Sequence, residues 1–257
     1  MGAASRFSRL PYGETFSHRA TGRCSSSQLM IDFIAKAAGL PFLDAYKDTN
    51  GDFIHGVNFA VAGSTALSVD SLAKTNILSP VTTSSLGEQF DWMSKHFGSI
   101  CNTSRGGNDI NYALFQGKSI KEVKSLVPSI VQAIKNAVRT VISDGAVRVV
   151  VPAIRELKKE LPNAVIAYGD YYKAFEWLYK NVDYLGFDTS TKQRACCGSG
   201  GDYNFCLTRM CGAPDVPVCQ NPDQLISWDG IHLTQEAYKH MAAWLVDDLL
   251  PKLHCSS

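Results

Sequence analysis

The chain has 257 residues, 45% of them hydrophobic and 19% charged, a length and composition that suit one sizeable globular core. Lys plus Arg number 25 against 24 for Asp plus Glu, and the densest charged stretch, Arg155 to Glu160, alternates in sign like a solvated helix face, which excludes a polyanion-binding surface. No apolar run reaches the length of a membrane span, and Met1 to Arg6, as written, carry no apolar signal segment.

Taken in chain order, Ser25 to Gly39 reads as a helix with Ser available to cap it and Gly39-Leu40-Pro41 to end it. Val57 to Val61 reads as a buried strand entering a small-residue turn at Ala62-Gly63-Ser64. Leu86 to Phe97 is a second helix. Ser119-Ile120-Lys121-Glu122 is a capping-box pattern that opens a long helix to about Ser143, with Pro128 tolerated near its first turns or as a kink.

Val147 to Val151, a short helix ending at Glu160 and Ala164 to Tyr168 form a βαβ pattern, with a crossover of about ten residues, near the minimum for a parallel pair. Thr234 caps a terminal helix whose Tyr238, Met241, Leu245 and Leu249 share one face. Strands alternating with helices predict an α/β fold of three layers, a mostly parallel open sheet flanked by helices, with functional residues on loops at the strands' carboxyl ends. One domain over residues 1–257 is expected.

Five of the eight cysteines, Cys196, Cys197, Cys206, Cys211 and Cys219, crowd a Gly-rich stretch with no histidine among them. Their uneven spacing fits an extracellular, disulfide-stapled loop better than a zinc site. The sequon Asn102-Thr103-Ser104 is compatible with secretion.

Asp229 and His232 stand three apart before the terminal helix. An imidazole that takes a proton from a nucleophile and a carboxylate that fixes its tautomer are what an esterase needs, although Asp-Gly is also a common turn dipeptide. Asn108, in Gly106-Gly107-Asn108-Asp109, offers a side-chain amide donor, and Gly63 a backbone N–H without a Cβ in the way; such donors build an oxyanion hole.

The blocks Leu10 to Phe16, Thr21 to Cys24, Ile31 to Ile34, Asn58 to Gly63, Gly107 to Asp109, Ala195 to Gly198 and Trp228 to Thr234, in this order, resemble the plant GDSL esterase/lipases of the SGNH hydrolase superfamily. The resemblance implies hydrolysis of a carboxylic ester, in a small molecule or a lipid, through a serine acyl-enzyme. His232 is then the base, Asp229 its orienting acid, and Gly63 and Asn108 the oxyanion donors. It implies no metal or cofactor, no obligate protein partner and a secreted protein.

Three departures from the family pattern bear on activity. The family's Gly-Asp-Ser strand should precede Leu10, and Ser5 and Ser8 have neither an apolar strand before them nor an Asp neighbour. The run Cys101 to Arg105 is too polar for the buried strand that leads into the family's Gly-Asn-Asp loop. After Pro152 a loop and a longer helix are missing. The chain is therefore expected to be incomplete at its N-terminus and after residue 152. The alternative function is that of a catalytically inactive splice form or pseudoenzyme without its nucleophile.

Overall fold

The structure is a computed structural model that describes residues 6–15, 18–79, 81–97, 108–144, 146, 148–151 and 157–253. Contacts divide the chain into two units, one of residues 1–43 with 170–250 and one of residues 44–169 with 251–257.

The second unit holds the sheet. Strands β1 (Arg148–Val151) and β2 (Val165–Tyr168) pair in parallel with Val149 opposite Ile166 and Val151 opposite Tyr168, as the βαβ pattern predicts. Val149, Val151, Ile166 and Ala167 are buried while Val150, Val165 and Tyr168 are exposed, so among the described residues the pair is covered only in part. Its helices are α2 (Val69–Ala73), α3 (Leu86–Phe97), α4 (Asn108–Phe115), α5 (Ile120–Ser143) and α6 (Leu157–Glu160).

Helix α5 organises this unit. Ser119 Oγ accepts from Glu122 N while Glu122 Oε2 accepts from Ser119 N, the reciprocal cap that the sequence predicts. Val123, Leu126, Ile130, Ile134, Val138 and Val141 recur at helical spacing and are buried in one cluster with Leu72, Met93, Ala113, Val149 and Leu157. The helix packs on α3, α4 and β1. It runs through Pro128, which lies on the exposed face, so the carbonyl deprived of an amide partner there meets water.

Residues 57–61 do not form the strand that their apolar content predicts. Tyr46 N donates to Asn58 O and Asn58 N to Asp44 O, a single parallel bridge. The Asn58 side chain then accepts from Ala60 N at 2.9 Å, and this local bond takes the amide that a ladder would need.

The first unit has no named strand among its described residues, only isolated bridges. Helix α1 (Met30–Ala37) starts later than the Ser-rich stretch suggests. Asp32 accepts from Leu29 N and so caps at that point, while Ser25 Oγ donates to Leu233 O and Ser26 Oγ accepts from Gln235 N. The serines therefore join the chain's two ends instead of starting a helix. Leu40 N closes the helix onto Ala35 O with Gly39 in a left-handed conformation, as expected.

Helix α7 (Tyr171–Lys180) is capped by Asp170, and α8 (Gln235–Leu253) by Thr234, whose Oγ1 accepts from Ala237 N. Met241, Leu245 and Leu249 are buried on one face of α8; Tyr238 is only half-buried, and its hydroxyl accepts from Leu233 N.

Candidate functional site

In the first unit, Trp228-Asp229-Gly230-Ile231-His232 forms a tight loop before α8. Asp229 Oδ1 accepts from Ile231 N (3.0 Å) and His232 N (2.8 Å), and Trp228 N donates to His232 O (2.8 Å). Gly230 turns the chain at φ +87°, with the Phe205 ring where a Cβ would stand. The loop thereby brings Asp229 Oδ2 to 2.8 Å from His232 Nδ1.

Asp229 is buried, and burial by itself pushes its carboxyl up. The facing His232 and the backbone donors of His232 and Ile231 outweigh this and hold it below the usual carboxylate range. As an anion it has only lone pairs to offer, so Nδ1 of His232 carries the proton and Nε2 is left as the acceptor. Among the described residues Nε2 makes no hydrogen bond.

A third side chain reaches the same carboxylate. Tyr12, fully buried, donates from its hydroxyl to Asp229 Oδ2 at 2.8 Å. The Phe7 ring meets Tyr12 edge-on at 5.0 Å and His232 at 5.8 Å. Sequence reasoning places Tyr12 only within a motif block, since no local pattern links residues 217 apart.

The predicted cysteine loop abuts this site. Cys196 bonds Cys219 and Cys197 bonds Cys211, while Cys206 stays a thiol against Thr208. Cys196 N donates to Ser227 O (2.9 Å) and Cys197 N to Trp228 O (2.7 Å), so the adjacent disulfides hold backbone that pairs with the residues before Asp229. No His/Cys/Asp/Glu cluster suited to a metal occurs among the described residues.

In the second unit, Gly63 and Asn108 come together. Asn108, predicted on a loop, is the first residue of α4; its Nδ2 donates to Ser64 O at 2.7 Å, which orients the amide and leaves its second hydrogen. Tyr112 Oη donates to Gly63 O at 2.7 Å. Asp109 accepts from Ala66 N (2.8 Å) and Leu67 N (2.9 Å), so successive residues of α4 hold the 63–67 turn. Burial raises the Asp109 carboxyl against the pull of those two amides. Gly63 stands at φ +79°, where a Cβ would lie 2.6 Å from Val81 Cγ1 and 2.7 Å from Tyr112 Oη. Its N–H has no partner among the described residues.

Ser8, in a 3-10 turn over Arg6–Ser8, is exposed. Ser5, the sequon at Asn102, the polar run at 101–105, Gly106 and Gly107 lie outside the described residues.

The profile of the GDSL-like lipase/acylhydrolase family matches residues 8–245. Acetylajmalan esterase 1 of Rauvolfia serpentina is 38% identical, covering 96% of this chain and 80% of the relative. Sinapine esterase of Brassica napus is 34% identical over 91% of this chain and 76% of its own length, and a GDSL esterase/lipase of Arabidopsis thaliana 37% over 78% and 79%. The first alignment runs over 304 positions, more than the chain's 257 residues, so that relative has internal residues without a counterpart here.

Proposed function

Because the chain belongs to the GDSL-like lipase/acylhydrolase family of ester hydrolases, we propose that it acts on small carboxylic esters with His232 as general base and Asp229 as its orienting acid. The observation that carries this reading is the 2.8 Å contact between an anionic Asp229 and His232 Nδ1, with Nε2 unpartnered among the described residues. Nε2 would take the proton of a serine hydroxyl as that oxygen attacks the acyl carbon, and return it to the departing alkoxide. Water would release the acyl group in the same manner. The Gly63 N–H and the remaining Asn108 amide hydrogen are the proposed donors to the tetrahedral oxyanion; losing one such donor costs about a hundredfold or more in turnover. This assignment rests on the family resemblance and on each residue's local geometry. The two disulfides support an oxidising, extracellular setting.

A second reading concerns the 257-residue polypeptide itself. It contains no Gly-Asp-Ser triplet, and loss of the serine costs a hydrolase on the order of a millionfold in turnover. The polypeptide by itself is therefore an inactive form, carrying the base without the nucleophile. Fluorophosphonate labelling and p-nitrophenyl acetate turnover test both readings. The 257 residues should neither label nor exceed their His232→Ala variant, whereas a form extended upstream by the family's Gly-Asp-Ser strand should do both. Stoichiometric labelling of the unextended polypeptide, at a serine whose replacement abolishes turnover, overturns the inactive reading. An extended, folded form whose turnover survives His232→Ala overturns the catalytic one.

A further inference from the structure

The Asp229 carboxylate is surrounded by donors, and one of them comes from the opposite end of the chain. Its Oδ1 is saturated by two backbone amides of its own loop. Its Oδ2 is shared between His232 Nδ1 and Tyr12 Oη, each at 2.8 Å. With Asp229 buried, every lone pair the histidine does not use must find another donor or stand desolvated.

We propose that Tyr12 is a positioning residue for the Asp229–His232 pair: its hydroxyl holds Oδ2 so that one lone pair remains aimed at Nδ1, and sets how strongly the carboxylate binds the imidazole proton. The inference rests on the reading of Asp229 and His232 as the acid/base pair.

Three features make Tyr12 suited to this. The first is rigidity. Glu14 N donates to Pro11 O, Gly13 N to Ser25 O and Thr15 N to Ser26 O, while Ser25 Oγ and Ser26 Oγ bond Leu233 O and Gln235 N. The residues just after Tyr12 and just after His232 are thus tied to the same serine pair. Gly13 keeps that turn at φ +85°, where the Arg19 carbonyl occupies the space of any Cβ. The second is packing. Phe7 lies edge-on to both Tyr12 and His232, and Tyr12 lies edge-on to Trp228 at 6.2 Å, so both rings that reach Oδ2 are held from the side.

The third is that Tyr12 remains a donor. Burial first, then the negative charge of Asp229, push its phenol above the ordinary tyrosine range, with the Cys24 thiol adding to this and Arg6 opposing it. The hydroxyl therefore keeps its proton through neutral pH, where Asp229 is ionised. A neutral donor on a buried carboxylate lowers the carboxylate's basicity, and two donors on one oxygen compete for its electron density. Removing the Tyr12 proton concentrates that density on Nδ1–H.

NMR of the 257-residue polypeptide tests this without turnover. The low-field Nδ1–H resonance of His232 should vanish in Asp229→Asn, which reports that the pair exists. In Tyr12→Phe, which keeps the ring against Phe7 and Trp228, the resonance should move further downfield, and the Asp229 carboxyl carbon should titrate about one pH unit higher. Site-specific 3-fluorotyrosine at position 12, a stronger donor of nearly the same shape, should shift both in the opposite direction, and it provides the test should Tyr12→Phe fail to fold. If the resonance and the Asp229 midpoint stay in place with the Tyr12 replacements but respond to Asp229→Asn, Tyr12 only packs and the proposal is overturned while the pair stands. If Asp229→Asn also leaves the resonance, the pair itself is wrong.

Discussion

Gly63 and Gly230 occupy left-handed backbone with the space for a side chain already taken, by Val81 and Tyr112 in one case and by the Phe205 ring in the other. Replacing either by Ala adds a strained φ to a steric collision, so a loss of about 2 kcal/mol or more is expected from urea unfolding. The two variants should differ in their local effect. Gly63→Ala pushes on the Tyr112 hydroxyl that holds Gly63 O, and should raise amide exchange in the 63–67 turn. Gly230→Ala displaces the loop that sets Asp229 against His232 and should broaden the low-field His232 signal. If Gly63→Ala matches the parent in stability and exchange, the turn is looser than its contacts imply. At this scale the Asp-x-x-His spacing was legible because both residues sit in one loop, and Asn108 beside Gly63 because each lies in a recognisable block. Tyr12 was not legible as a partner of Asp229, because its hydrogen bond joins residues 217 apart. Nor was Asp109 legible as the group that accepts from Ala66 and Leu67.

The cysteine loop shows how one element supports another. Cys196 and Cys197 donate backbone hydrogen bonds to Ser227 O and Trp228 O, and Cys219 N returns to Cys196 O. Bonding adjacent cysteines to Cys219 and Cys211 therefore braces the strip on which the Asp229 loop rests. Cys211→Ser should cost about 2–4 kcal/mol of stability and speed amide exchange at Trp228 and His232. Cys206→Ser should do neither, since Cys206 is outside both bridges. Equal exchange rates in the two variants would show that the bridges stabilise their own loop alone. Clustering made this loop readable as disulfide-bearing, but spacing could not say which cysteine stays free. Helices were readable where a cap and a periodic face agreed, as in α5 and α8. The 57–61 stretch failed because its apolar content says strand, while Asn58 has a side chain able to bond the amide of Ala60.

Over the whole molecule, one unit is assembled from both ends of the chain and the other from its middle. Periodicity reports only local structure, so the alternating pattern conveyed an α/β class and the β1–β2 pair, but not the Tyr12–Asp229 and Ser25–Leu233 links between the ends. That assembly predicts a particular pH window for the first unit. Asp229 is held below its unfolded value of about 3.9, so its contribution to stability is complete above that pH and is lost as pH falls through the lower folded value. Tyr12 is raised above its unfolded value of about 10, so its contribution is complete below that pH and is lost as pH rises through the folded value. Asp229, held by His232 and its loop amides, therefore limits the unit on the acid side, and the buried Tyr12 limits it on the alkaline side. The second unit complicates a global measurement. Asp109 is raised by burial and acts with the opposite sign on the acid side, its contribution complete at low pH and fading as pH rises, and Tyr112, also raised chiefly by burial, adds an alkaline loss of its own. Local probes separate the two. Amide exchange at residues 229–232, taken relative to the intrinsic rate at each pH, should accelerate below about pH 4 and above about pH 10. Asp229→Asn should flatten the acid limb, and Tyr12→Phe the alkaline limb, while the alkaline limb at residues 63–67 keeps its Tyr112 dependence in both variants. An alkaline limb at 229–232 that is as steep in Tyr12→Phe as in the parent would mean that the loop's loss at high pH comes from another group, and that the buried phenol does not couple the chain's two ends.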